Sequence, residues 1–595
     1  MSENTYSCNK LINEASQYLR AHANNPVNWY PWAETTLELA RKHDKPILLS
    51  IGYLACHWCH MMMHELFCDS EIATTMNRLF INIKVDKEER PDLDKIYQAT
   101  LQILMGRAGG WPLTAFISPH TLLPYFGGTY FTKEAGVNAN NVDFTSLLHR
   151  LNEIYYHDKE RLQQQELRTV AILAITSQFK PPNIMPLATD VLHAAEIDIQ
   201  KSFDPINTGF LEDNKFPNAP TLEFILHSKD ILTRHIALTT LGHMANGGIY
   251  DQIGGGFFRY TIDPKWQIPH FEKMLSDNVQ LLGLYALAYN ITQHQEYYTI
   301  ALETSDWLRN TLYNQEYGCF YNGLDADSDG QEGLYYLWEK QAIKELLTNS
   351  EFKQISEYYN LAQKANFANK WHIFIANPLN PPSNDMIFSV KQKLLQQRNL
   401  RSKPELDKMI LTSCNGLAII NFSIASQLLK KTELLATANA IIKFIQEKLY
   451  VNGQLYATWQ NNAAKITGFI DDYAFVLYGI LTFINDDPQH EYLPFCTILA
   501  NDLINNFYDP QGGGFYFTSK QAEKLFYRPK IFNDEATPSG NGIACLALLK
   551  LGKLINNMDY INVAKNTIVA ATTPMFEMPT MYLTMCQAYV ALHNL

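Results

Sequence analysis

The chain has 595 residues, 47% hydrophobic and 12% aromatic, a composition that builds large packed cores and excludes a disordered or fibrous protein. Its net charge of −12, from 48 Lys and Arg against 60 Asp and Glu with no basic run, excludes the electrostatic footprint of a nucleic-acid binder. No apolar stretch reaches the roughly 18 residues a membrane helix needs, so no membrane span is expected.

The first residues lack a basic region followed by an apolar core, so no signal peptide is expected. Nine cysteines with one close pair suit a reducing compartment, and the cytoplasm is the expected location. Residues 32–43 read as a helix, and the apolar run 45–52 as a buried strand. Tyr53-Leu54-Ala55-Cys56-His57-Trp58-Cys59-His60 follows, then a helix-compatible run at 61–67. Residues 79–85 and 113–117 read as further strands, the latter directly after Gly109-Gly110-Trp111-Pro112. Strands alternating with helices predict an α/β unit.

In a Cys-x-x-Cys at a strand-to-helix junction, unpaired backbone N–H groups and the helix dipole favour a thiolate at the first sulfur. The second sulfur lies about one turn on. Cys56 is the expected attacking thiol and Cys59 the resolving one. Pro112 is the expected cis-proline facing them, because X-Pro is where a cis bond costs least. Three other readings stay open. Cys-x-x-Cys-His is also the attachment pattern of c-type haem, though no export signal supports it. Cys56, His57, Cys59, His60 and His64 are crowded enough for zinc. Two inert structural thiols need no chemistry at all. No resident metal or cofactor is assigned.

These motifs, together with Lys84-Val85-Asp86-Lys87-Glu88-Glu89-Arg90-Pro91-Asp92 and Gly127-Gly128-Thr129-Tyr130-Phe131, stand in the order of one family's successive signatures. The chain resembles, over nearly its whole length, the thioredoxin-domain family that includes the spermatogenesis-associated protein 20 relatives. The resemblance implies a thioredoxin-like domain followed by an all-helical barrel, similar to the N-acylglucosamine 2-epimerase and six-hairpin glycosidase folds. It also exposes a departure. The buried aspartate of ordinary thioredoxins, six positions before the first cysteine, falls on Ser50, and the tryptophan before that cysteine falls on Ala55. A carboxylate at that depth helps move the resolving thiol's proton, so its absence bears on general disulfide reductase activity.

Residues 144–177 read as mostly helical and are expected to cap the first domain. Three prolines within 179–186 break helices and mark a junction. The expected organisation is a thioredoxin-like domain at 1–178, a linker at 179–188 and a barrel at 189–595. Beyond the linker a pattern of helix end, turn, glycine and aromatics recurs at 199–210, 308–321, 445–456 and 503–516, with a variant at 244–258. Segments 278–291, 432–449 and 540–554 have apolar spacing near 3.6. Six helix pairs closed in a ring make an (α/α)6 toroid whose glycine-aromatic loops rim a cleft; an open solenoid is the alternative.

Polar residues gather in those loops. Residues 247–278 carry Asp251, Arg259, Tyr260, Trp266, His270, Glu272 and Asp277. His270 and Glu272 are candidate base and acid on a sugar carbon, and Trp266, Tyr260 and Phe271 are candidate stacking rings. Asp325, Asp327 and Glu332 form a second acidic loop, which resembles a calcium loop but has Tyr336 where position 12 requires glutamate. Asn415, Asp472, Ser539 and Asn541 are polar islands within apolar helices, and each polar residue here could equally cap a helix or tie a loop. At Asn415 the family usually has a preceding tryptophan; here it is Cys414. The expected function is a thiol-redox-active domain joined to a barrel that processes or binds a carbohydrate, as epimerase, isomerase or hydrolase. A barrel that binds a protein partner and a degenerate sugar-binding scaffold are the alternatives. The expected partners are a sugar-like molecule in the barrel cleft and a thiol-exchange protein, with no nucleic acid and no membrane.

Overall fold

The computed structural model describes residues 8–134, 143–176, 187–210 and 213–594. The proline-rich stretch 179–186 lies outside the described residues. The chain divides into two compact units. The first is Met1–Gln178 with Thr458–Ile466 and Lys520–Lys530; the second is Phe179–Ala457, Thr467–Ser519 and Ile531–Leu595.

The first unit is built on a five-stranded sheet of β1 (Trp29–Pro31), β2 (Ile47–Gly52), β3 (Ile81–Asp86), β4 (Leu113–Ile117) and β5 (Pro124–Gly128), in the order β1-β3-β2-β4-β5. β1, β3 and β2 run parallel, whereas β4 and β5 are antiparallel to their neighbours. β2, β3 and β4 are buried along their whole length, which is why each reads as a near-continuous apolar run. The helices are α1 (Gln17–Ala21), α2 (Glu34–Lys42), α3 (His57–Met62), α4 (Ser70–Leu79), α5 (Pro91–Met105), α6 (Phe144–His157) and α7 (Lys159–Thr176). α3 widens into a π turn at Met63–Phe67. α5 starts on Pro91, whose missing N–H costs nothing there, and stops at Gly106, where φ is +68°. This is a thioredoxin-like domain.

The second unit is helical. Its helices are α8 (Ala188–Ser202), α9 (Ala219–Leu226), α10 (Ile231–Asn246), α11 (Leu275–Thr292), α12 (Gln295–Trp307), α13 (Lys340–Leu346), α14 (Asn349–Tyr358), α15 (Asn384–Arg398), α16 (Thr412–Leu429), α17 (Thr432–Phe444), α18 (Ile470–Phe483), α19 (Leu493–Phe507), α20 (Gly540–Leu554), α21 (Met558–Glu577) and α22 (Leu583–His593). Six of them pack in cyclic succession: α9 on α11, α11 on α16, α16 on α18, α18 on α20, α20 on α22, and α22 back on α9. Each has an outer partner, α10, α12, α17, α19, α21 and α8 in the same order. The ring is therefore closed, an (α/α)6 toroid in which the first outer helix backs the last inner one. The inner helices α11, α16, α18 and α20 are buried on most faces, as helices walled on both sides must be. α13, α14 and α15 form a lobe between α12 and α16, with its own core around Trp338, Ile343, Ile355, Val390 and Leu394.

The repeated glycine-aromatic pattern is a bridge-closed turn. Phe203 pairs with Phe210, Tyr250 with Phe257 and Tyr508 with Phe515; Tyr313 pairs with Phe320 and Tyr450 with Leu455. Gly209, Gly256, Gly318, Gly453 and Gly514 take φ between +68° and +78° in these turns, a region that glycine enters without steric cost.

Candidate functional site

Cys56 and Cys59 form a disulfide, with Cα atoms 5.3 Å apart. Cys56 is the N-cap of α3, its sulfur accepting from the Cys59 N–H at 3.2 Å. The Trp111–Pro112 bond is cis and immediately precedes Leu113, whose register partner is Ile51, so the cis bond lies across from the end of β2 that leads into the disulfide. The Lys84-to-Asp92 signature supports this turn. Lys87 Nζ lies 4.4 Å from the Tyr53 ring centroid and 4.6 Å from that of Trp111, and Asp94 accepts from Trp111 Nε1 at 2.9 Å. Trp58 and Met61 are 44% and 40% exposed beside two nearly buried cysteines. Tyr130, from the Gly127-to-Phe131 signature, packs on Trp58 and donates to Glu65 Oε2 at 2.7 Å.

Ser50 lies at the centre of β2 and accepts from Lys84 Nζ at 3.1 Å. That amine is buried against the rings of Tyr18, Trp29 and Phe67. Burial holds its pKa well below the usual lysine range.

In the barrel, the structure gathers Arg259, Tyr260, His270, Glu272 and Glu332. His270 Nδ1 lies 2.5 Å from Glu332 Oε1, and Arg259 Nη1 lies 3.6 Å from Glu272 Oε2. His270 and Glu272, neighbours in sequence, thus have different partners. Asp327 stands opposite Glu332 in a short hairpin, and Asp325 receives the Asp327 N–H at 3.1 Å. Phe216, which no sequence pattern singles out, stacks on Tyr260 at 4.5 Å with 36% of its surface open.

The other sequence candidates have structural positions too. Asp251 is buried between Lys273 Nζ and Arg398 Nη1, each at 2.8 Å. Burial alone would raise its pKa, but the two cations outweigh burial and hold it far below the carboxylate range. Trp266, expected to stack on a ligand, has no exposed surface: its ring covers Gly209, and Nε1 donates to the Asn207 carbonyl at 3.0 Å. Phe271 is likewise fully buried. Asn415 and Asn541 perform one repeated task. Asn415 accepts from the Phe320 N–H and donates to the Phe320 and Leu411 carbonyls; Asn541 accepts from the Phe515 N–H and donates to the Phe515 and Ile531 carbonyls. Asn278 does the same to Phe257 and Met274. At the fourth turn the Tyr473 hydroxyl accepts from the Leu455 N–H. The first turn of an inner helix thus clamps the preceding glycine-aromatic turn by its backbone. Ser539 caps α20 through the Gly542 N–H.

A further acidic group sits within the ring. Glu223, on α9, is solvent-exposed, yet burial by its surroundings, together with Asp534, pushes its pKa up to about 7. Tyr478, on α18, feels the Glu223 charge although α9 and α18 are not adjacent in the ring. Asp472, buried at the start of α18 and accepting from the Phe469 N–H, is pushed up to about 7 by burial. Asp534, which accepts from the Ser539 and Thr584 N–H groups, is pushed up to about 6 by burial. Asp277, in the first turn of α11, is also buried. Among the described residues, no three His, Cys, Asp or Glu are placed to hold a metal ion, and no helix is long and apolar enough to cross a membrane.

The human spermatogenesis-associated protein 20 is 31% identical to this chain over 627 residues, covering 96% of this chain and 79% of the human protein. The chain belongs to the spermatogenesis-associated protein 20 family. Another relative is an uncharacterized Caenorhabditis elegans protein, 31% identical over 639 residues and covering 98% of this chain and 86% of its own length. Residues 8–174 match a family model described as a protein of unknown function, DUF255. Among solved structures, a D-mannose isomerase is 12% identical with a TM-score of 0.45, covering 70% of this chain and all of that one. In this family member the Cys-His-Trp-Cys and Gly-Gly-Trp-Pro signatures meet at one turn, whereas the polar signatures of the barrel are divided among backbone clamps, the Asp251–Lys273–Arg398 triad and the His270–Glu332 cluster.

Proposed function

We propose that the first unit of this protein performs thiol–disulfide exchange through Cys56 and Cys59. The observation that carries this reading is a disulfide at a helix start, opposite a cis-proline and flanked by exposed Trp58 and Met61. In the reduced protein, the Cys56 thiolate attacks a substrate disulfide, forming a mixed disulfide and releasing one substrate thiolate. Cys59, as thiolate, then attacks the Cys56 sulfur. The second substrate thiolate leaves, and the Cys56–Cys59 bond closes. Two electrons pass to the substrate, and an external thiol returns them. Exposed apolar side chains beside the sulfurs suit a protein substrate. Reduced full-length Cys59→Ser is expected to accumulate a mixed disulfide with a protein disulfide probe, and Cys56→Ser none. Equal trapping by both variants, or by neither, rejects the reading.

For the barrel, the Phe216–Tyr260 stack beside His270–Glu332 and Arg259–Glu272 favours a carbohydrate ligand. An open aromatic face next to hydrogen-bonding acids and bases matches the apolar face and hydroxyl edge of a sugar ring. A thermal-shift series with hexoses, aminosugars and uronic acids is expected to raise the melting temperature, with the rise lost in Tyr260→Ala. No change with any of them removes this reading.

A further inference from the structure

The thiol reading, on which this inference rests, leaves one requirement open. When the Cys56–Cys59 bond breaks by attack at Cys56, the electron pair stays on Cys59, which at 2% exposure has almost no water to solvate it. The strand position that would supply a carboxylate nearby is Ser50, whose oxygen is held by Lys84.

Tyr18, on α1, is also 2% exposed, and its hydroxyl has no hydrogen-bond partner among the described residues. A buried hydroxyl without a partner is uncommon and calls for a cause. The cause lies at Gly52, the last residue of β2. A β-carbon there would stand under 3.0 Å from both the Tyr18 hydroxyl oxygen and Cys59 Sγ. The two atoms are therefore no more than twice that distance apart, over a residue with no side chain to separate them.

We propose that the Tyr18 hydroxyl donates a hydrogen bond to the Cys59 thiolate, solvating the charge that appears each time the disulfide opens. A sulfur in a disulfide is a poor acceptor and a thiolate a good one, so the hydroxyl is idle in the oxidised protein and engaged in the reduced one. No proton changes hands in the step. Burial, with Asp86 nearby, raises the Tyr18 hydroxyl well above the usual tyrosine range, so it remains a donor while Cys59 titrates. The charged and titratable groups around the pair include Lys84, 5.1 Å from the Tyr18 ring centroid; His22, edge-on to that ring at 5.0 Å, with His64 near it; Asp86, held by Ser16 at 2.5 Å; and His60, bonded to the Leu54 carbonyl at 2.8 Å.

The test uses the full chain with Cys56→Ser and a ¹³Cβ label on cysteine, reading the Cys59 midpoint by NMR. Adding Y18F is expected to raise that midpoint by about one pH unit or more, the value of a hydrogen bond to a charged group. In the chain with both cysteines, Y18F is expected to slow resolution of a mixed disulfide at pH 7 about tenfold. An unchanged midpoint overturns the proposal. Should Y18F fail to fold, the Tyr18 ¹³Cζ resonance of the Cys56→Ser chain decides instead: it must move with the Cys59 midpoint, and a flat response overturns the proposal. Failure of the exchange reading would show separately, as absence of any mixed disulfide in Cys59→Ser, because the Cys56→Ser chain reports the Cys59 midpoint without exchanging.

Discussion

Asp251→Ala is expected to destabilise the barrel by about 3–5 kcal/mol, the cost of leaving buried cations without their counter-ion. Lys273 and Arg398 are both almost fully buried, and Asp251 is the carboxylate between them. The same side chain receives the Ile253 and Gly254 N–H groups, so its loss also opens the turn that ends in Phe257. Gly254 belongs to the arrangement, because a β-carbon there would collide with the Arg398 guanidinium. The partner 147 residues away sits at the end of α15, so the triad fastens the lobe to the glycine-rich turn. Replacing all three charges by apolar residues of similar volume is expected to cost far less than Asp251→Ala alone. Urea unfolding followed by far-UV circular dichroism checks both. A loss below about 1 kcal/mol in Asp251→Ala would mean that water reaches the triad.

That triad marks where the sequence stops being readable. The Cys56–Cys59 disulfide and the cis Trp111–Pro112 bond were legible because the pattern is local: a strand, a four-residue motif at a helix start, and an X-Pro before the next strand. β4 falls on the expected residues, and α20 on 540–554, because each is a predominantly apolar segment with a clear boundary. β1 and β5 carried no such signal. β1 is three residues ending in Pro31, and β5 opens on Pro124 and ends on two glycines. The partner of Asp251 could not be read, since no pattern links a glycine-rich turn to an arginine in a distant helix. The asparagines mislead for a different reason. A polar residue in the first turn of an apolar helix looks the same whether it meets a ligand or a neighbouring backbone, and only the positions of the Phe257, Phe320 and Phe515 N–H groups decide between them. Glu223 did leave a trace: it is the one carboxylate in α9, an otherwise apolar helix.

The acids of the ring also set a pH dependence that runs against the usual one. Asp472 and Glu223 are pushed up to about 7 and Asp534 to about 6, in each case chiefly by burial. A group whose folded pKa lies above its unfolded value stabilises fully below the unfolded value, here about 4, and that stabilisation is lost as pH rises through the folded value. The window of loss is therefore pH 4 to about 7. A tenfold change in an acid's dissociation constant on folding is worth about 1.4 kcal/mol, so Asp472, the most buried of the three, dominates, and Glu223, which is exposed, counts for less. Asp251 has the opposite sign: its contribution is present above about pH 4 and declines only below that. The barrel is thus expected to be more stable at pH 5 than at pH 8, by several degrees in melting temperature. Asp472→Asn keeps the shape, removes the charge and is expected to flatten most of that slope. A melting temperature equal at the two pH values, or higher at pH 8, would mean that these carboxylates are hydrated in the lumen rather than enclosed by it.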